Sequence, residues 1–175
     1  MNYGKLETLD VANGEGLRVT LFVSGCRHHC KNCFNPETWS FRYGDPFTVD
    51  TIDKISELMR PDQIAGLTLL GGEPFEPENQ EELISLLAYI KDRYPEKTVW
   101  AYTGCVYEED LKLGANSMYH TKDTPILLDL IDVLVDGPFI EEKKNLMLKF
   151  RGSENQRIID MKKTLETGAV VLYME

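Results

Sequence analysis

The sequence predicts an α/β protein with a mostly parallel sheet and a functional site at the carboxyl ends of the strands. Two observations predict it. Short apolar, β-branched runs at 18–23, 66–70, 98–102 and 133–135 alternate with segments of helical period. Just beyond those runs stand Cys26, Gly72, Thr103 and Asp136, so strand spacing alone gathers four loops on one edge of the sheet.

Each element has its own local cause. Residues 18–23 form a buried strand stopped by Gly25. Thr48 is suited to cap a helix running through Met59, with Asp50 and Asp53 near its start and Ile52, Ile55 and Met59 on one face. The strand at 66–70 is broken by Gly71-Gly72. Asn79 is placed to cap the next helix, whose Leu83, Leu86, Leu87 and Ile90 follow the i, i+3, i+4, i+7 rule until Pro95. A strand at 98–102 stops at Gly104, and a short helix follows at 108–113. Pro125 fits the first turn of a helix through Ile131. The strand at 133–135 ends at Asp136-Gly137-Pro138, and a final strand is expected at 169–173.

With 175 residues the chain reads as one domain, 1–175, with no repeat or linker. No run of about eighteen apolar residues predicts a membrane span. The first residues lack an apolar signal core, so a cytoplasmic location is expected. A net charge of −10, with few adjacent basic residues, argues against nucleic acid as a partner.

Chemistry is concentrated at residues 21–35. Cys26, Cys30 and Cys33 stand as C-x3-C-x2-C on one loop after a strand. Cysteine thiolates are the usual ligands of iron–sulfur clusters, normally four per cubane. Three would leave one iron without a protein ligand, and an open position distinguishes a reactive metal site from a structural one. Two other readings stay open on spacing alone. Zinc could take the three thiolates with His28, His29 or Cys105, although the second C-x2-C of a zinc ribbon is absent. Cys30 and Cys33 could also form a dithiol redox pair.

Other segments accompany the loop: Asn13-Gly14-Glu15-Gly16-Leu17-Arg18, Gly71-Gly72-Glu73-Pro74 and Trp100-Ala101-Tyr102-Thr103-Gly104. Further on come Asp136-Gly137-Pro138-Phe139 and Arg151-Gly152-Ser153-Glu154-Asn155-Gln156. In this order and in so short a chain they resemble the radical S-adenosylmethionine (SAM) superfamily. Within it they are similar to the activating enzymes of anaerobic (class III) ribonucleoside-triphosphate reductase. The resemblance covers residues 1 to about 160. It departs at Glu15, where the family usually has proline, at Glu73, often aspartate, and at Asn32, often aromatic.

The resemblance implies an incomplete (β/α) barrel, smaller than the eight-stranded form. It implies a 4Fe-4S cluster on Cys26, Cys30 and Cys33 whose open iron binds SAM. Asn32, Cys33 and Phe34 would contact SAM, as would Gly71, Gly72 and Glu73, the last accepting its ammonium. Thr103 and Asp136 are carried over more weakly. Arg18, Arg151, Ser153 and Asn155 would border the pocket or the partner. Reductive cleavage of SAM would give a 5′-deoxyadenosyl radical, which generates a glycyl radical on the reductase. Reduced flavodoxin or a similar carrier would donate the electron.

Overall fold

The computed structural model describes residues 1–175. Eight strands form one mixed sheet, with helices packed on one of its faces. In chain order the elements are β1 (Asn2–Asp10), β2 (Leu17–Val23), β3 (Asp45–Pro46), α1 (Val49–Met59), β4 (Ile64–Gly71) and α2 (Pro77–Arg93). There follow β5 (Thr98–Tyr102), α3 (Thr124–Asp129), β6 (Val133–Asp136), β7 (Arg157–Asp160), α4 (Met161–Thr167) and β8 (Leu172–Met174). Across the sheet the order is β3-β1-β2-β4-β5-β6-β7-β8.

The expectation of a mostly parallel sheet is corrected. The pairings β2–β4, β4–β5 and β5–β6 are parallel, and the other four of the seven are antiparallel. Connection geometry is the cause. Parallel neighbours need a crossover of about a dozen residues or more, and α1, α2 and α3 provide three of these. β1 reaches β2 through only Val11 to Gly16, and the link from β6 to β7 contains no α-helix to carry it across the sheet.

Side-chain alternation divides the sheet into two faces. Val19, Leu21, Val23, Leu67, Leu69, Val99, Ala101 and Leu134 join Ile55, Met59, Leu83, Leu86, Leu87 and Ile90 in the main core. Burying each such side chain contributes about 1.5–3 kcal/mol, which is what docks the helices. On the opposite face Trp100, Val133, Val135 and Ile158 form a second cluster with Tyr102, Phe150 and Met174.

Several elements differ from the sequence reading. The helix expected to start at Asn79 begins at Pro77, because proline is favoured in a first turn. Asn79 instead donates to the carbonyls of Ser24 and Glu73 at 3.1 and 3.0 Å. The helix expected at 108–113 is a single wide turn over Tyr107–Leu111, since Asp110 and Asp136 take the Val106 and Tyr107 N–H groups. Residues 2–10, 157–160 and 161–167 form elements with no counterpart in that reading, and the last strand lies at Leu172–Met174. Thr48 does precede α1, its N–H donating to Thr51 Oγ1 at 3.0 Å.

Candidate metal and cofactor site

The cysteine loop leaves β2 through a turn that needs glycine. Gly25 has φ +99°, and a Cβ there would lie 2.3 Å from the Phe41 ring. A Cβ on Gly72 would meet the Gly25 carbonyl at 2.6 Å. This close approach lets Gly72 N–H donate to Val23 O and Glu73 N–H to Gly25 O, both at 2.8 Å. The turns after β2 and β4 are thereby stitched together.

Farther along, Arg27 clamps the loop to the start of α2. Its backbone N–H donates to Glu76 Oε1 at 2.7 Å, its guanidinium pairs with Glu76 and Glu78, and its cation lies over Phe41. His29 stacks on Trp39 with ring centroids 4.4 Å apart. His29 and Asn32 both adopt positive φ, +48° and +56°, so the chain winds tightly between the cysteines. Conformations of this kind cost free energy for residues other than glycine and persist where surrounding contacts fix them.

Cys26, Cys30 and Cys33 line one cavity of about 150 Å³ at the carboxyl ends of β2, β4, β5 and β6. Phe34, Gly71, Gly72, Glu73 and Thr103 share its wall, with His28, Tyr102, Gly104, Phe139 and Gln156. Burial, reinforced by the charge of Glu73, pushes the Cys26 thiol up to about 12. Burial also raises Cys30. Without metal these are thiols at neutral pH, so ligation must release their protons. The Asn35 N–H, 3.4 Å from Cys33 Sγ, is available to a sulfur ligand. Three half-buried sulfurs around one cavity fit a cluster with an open iron. Cys105 is fully buried and absent from that wall.

Glu73 is the cavity's only carboxylate and is 1 % exposed. Its Oε1 accepts from Phe75 N–H at 2.9 Å and Thr103 Oγ1–H at 2.8 Å. Its Oε2 accepts from Gly104 N–H at 2.8 Å and faces His28 Nε2 at 2.8 Å. A carboxylate has about four lone-pair positions, and all four are engaged. His28 also stacks on Tyr119 at 4.9 Å. Burial opposes the charged imidazole, but the hydrogen bond and charge of Glu73 prevail, leaving the His28 pKa above its ordinary value. Sequence spacing offered His28 only as a possible zinc ligand. Only the fold, which brings residues 28 and 73 together, discloses the pair.

Six of the sequence candidates lie elsewhere or serve otherwise. Arg18 is 1 % exposed and near the start of β2, far from the cysteine end. It donates to Thr68 Oγ1, Thr98 O and Leu67 O at 2.8, 2.8 and 3.0 Å, and burial lowers its pKa to about 10. Asp136 is buried in a bidentate pair with Arg157 and accepts from Tyr107 N–H. Its carboxylate is therefore spent on the fold. Asn32 is exposed and does not line the cavity. Ser153 Oγ accepts from Ile140 N–H at 3.2 Å, tying two chain segments together. Asn155 Nδ2 donates to Pro138 O at 2.7 Å, a second tie between these segments. Arg151 borders a second, larger groove of about 520 Å³. Tyr102 and Phe139, neither of them a sequence candidate, line both spaces together with Gln156.

A family model described as "4Fe-4S single cluster domain" matches residues 12–159. The chain is 39% identical over 160 residues to the anaerobic ribonucleoside-triphosphate reductase-activating protein of Enterobacteria phage T4, covering 90% of this chain and 93% of that one. It is 41% identical to the protein of that name from Vibrio cholerae, with 90% and 97% covered. For the Escherichia coli protein of the same name the identity is 39% over 158 residues, with 89% and 96% covered. No helix is long and apolar enough to cross a membrane.

Proposed function

The chain belongs to the family of anaerobic ribonucleoside-triphosphate reductase-activating proteins, and from that membership we propose that it activates such a reductase by radical SAM chemistry. In this reading its sheet serves as the incomplete (β/α) barrel of the radical SAM superfamily. One observation carries the chemistry: three thiols, and no fourth, share a cavity with a single buried carboxylate at the sheet's carboxyl edge.

A 4Fe-4S cluster held there would supply the one-electron reduction that cleaves SAM to methionine and a radical able to take a hydrogen atom from a glycine of the reductase. The chain's own residues do the holding. Cys26, Cys30 and Cys33 would hold the cluster, and with only three protein ligands it would keep an open position for SAM. Glu73 would accept the ammonium of SAM at the oxygen that faces His28 Nε2, with His28 giving way. Because burial removes competing water, that charge-assisted bond is worth about 1.5–3 kcal/mol. Gly71 and Gly72 let the backbone approach the ligand, while Thr103 and Gly104 keep the Glu73 carboxylate aimed. The protein orients and shields, and the cofactor carries the difficult step. Reduced flavodoxin or a similar carrier fits as the electron donor.

Reduced, cluster-loaded protein, SAM and the anaerobic reductase together should give a glycyl doublet by electron paramagnetic resonance. With a ribonucleotide in place of the reductase, only slow uncoupled SAM cleavage should appear. Stoichiometric consumption of a small molecule, with no radical on the reductase, would refute the reading.

A further inference from the structure

We propose that His28, Glu73 and Cys105 form a second metal site, separate from the three-cysteine loop, that takes a thiophilic divalent cation such as zinc. The site stands on its own geometry; its consequence for SAM rests on the function proposed above. The ligand atoms of the three side chains all lie within 4.8 Å of one another. His28 Nε2 stands 2.8 Å from Glu73 Oε2 and 3.8 Å from Cys105 Sγ. Ordinary zinc bond lengths put tetrahedral nitrogen and oxygen ligands about 3.4 Å apart, and nitrogen and sulfur about 3.6 Å. Shifts of about 0.6 Å or less therefore turn this hydrogen-bonded group into a ligand set.

Each ligand is fixed by groups outside the set. When metal takes the place of the His28 contact, Glu73 keeps Phe75 N–H, Thr103 Oγ1–H and Gly104 N–H, at 2.9, 2.8 and 2.8 Å. Cys105 is anchored through its backbone. Its N–H donates to Thr103 Oγ1 at 3.0 Å, and its carbonyl accepts from Gly137 N–H at 2.7 Å. His28 is stacked on Tyr119 with ring centroids 4.9 Å apart. Outer contacts of this kind orient metal ligands, and a donor set without them binds weakly. The three residues stand in the turns after β2, β4 and β5, so one ion would join three strand ends.

The donor set selects the ion. One sulfur, one nitrogen and one oxygen suit zinc, whereas magnesium and calcium take oxygen ligands. Ligation releases the Cys105 thiol proton to solvent, and the resulting thiolate and the Glu73 carboxylate balance the two charges of the ion. Three protein ligands leave the fourth tetrahedral position to water. Cys26, Cys30 and Cys33 take no part and stay free for the iron–sulfur cluster. The Glu73 oxygen that would turn to the metal is the one that would accept the ammonium of SAM. Zinc and SAM therefore exclude one another.

The test is anaerobic calorimetric titration of zinc chloride into cluster-loaded protein, in which the three loop cysteines are already engaged. Wild type should take up about one equivalent with its iron and sulfide content unchanged. Cys105→Ala and His28→Gln should each weaken zinc binding at least about tenfold, the loss seen when even an outer partner of a metal ligand is removed. Magnesium chloride should not bind. With zinc at a concentration that saturates wild type, SAM affinity should fall at least about tenfold in wild type and stay within about twofold in Cys105→Ala. No zinc uptake by wild type, equal uptake by both variants, or iron released as zinc enters would each overturn the site. So would equal binding of magnesium, or unchanged SAM affinity in the zinc-saturated wild type. If zinc binds as expected and wild type takes no SAM even without zinc, the radical SAM reading fails and the metal site stands.

Discussion

Replacing Glu73 with alanine removes one acceptor group from four donors at once. Two of those donors, the Phe75 N–H and the Thr103 hydroxyl, make fully buried hydrogen bonds at 2.9 and 2.8 Å. The Gly104 N–H and His28 are partly buried. A buried donor left without a partner costs about 1–3 kcal/mol. The two fully buried donors alone therefore set the expected loss at about 2–6 kcal/mol. Domain stabilities are about 5–15 kcal/mol, so the change is large. The assay is anaerobic urea denaturation of the metal-free, reduced protein, which isolates the network from any ligand. Glu73→Gln should lose less, because its remaining oxygen still accepts from Phe75 and Thr103 while its amide opposes the Gly104 N–H. Thus the order of midpoints should be wild type, then glutamine, then alanine. An alanine variant with the wild-type midpoint would refute the reasoning and leave Glu73 as a ligand group alone.

Two further outcomes follow from the same geometry. Alanine at Cys26, Cys30 or Cys33 should each abolish cluster iron in reconstituted protein, whereas Cys105→Ala should retain it; a Cys105 variant without iron would displace the ligand assignment. Arg18→Ala should lower the unfolding free energy by about 3 kcal/mol, since it strips several buried hydrogen bonds and leaves a cavity. SAM affinity in that variant, measured by titration calorimetry of the cluster-loaded protein, should stay within about twofold, and a larger fall would return Arg18 to the pocket.

Local signals made the central part of this fold readable. The runs at 98–102 and 133–135 are apolar on both faces because helices cover one side and the Trp100 cluster fills the other. The flanking strands escaped notice for the opposite reason. In β1 every residue but Asp10 is exposed or half-buried, so its alternation of Tyr3, Lys5, Leu6 and Glu7 carries no strong apolar period. In β7 two isoleucines stand between charged ends, too few for a periodic signal. At the site, cysteine spacing and the Gly-Gly-Glu turn were legible because their chemistry is local. The pairing of His28 with Glu73 and of Arg157 with Asp136 was not, since each joins residues far apart in the chain. Asp136 also shows that a strand-end carboxylate is consumed by the fold when a neighbouring strand supplies an arginine.

Leaving aside the two-residue β3, the strands stand in the sheet in the order in which the ribosome releases them. Synthesis proceeds from the N-terminus at about 5–20 residues per second, and emerging segments can dock as they appear. A sheet of this order grows by addition at one side, with no strand to be inserted between two already joined. The cysteine loop is among the first parts made, but its turn gains the Gly72 and Glu73 stitches only after β4 has emerged. Thr103 and Gly104, which hold Glu73 in place, come some thirty residues later still. The nascent chain thus exposes its three thiols before the cradle around them exists, and the metal centre can be enclosed only after Phe139 and Gln156 have followed β6 out.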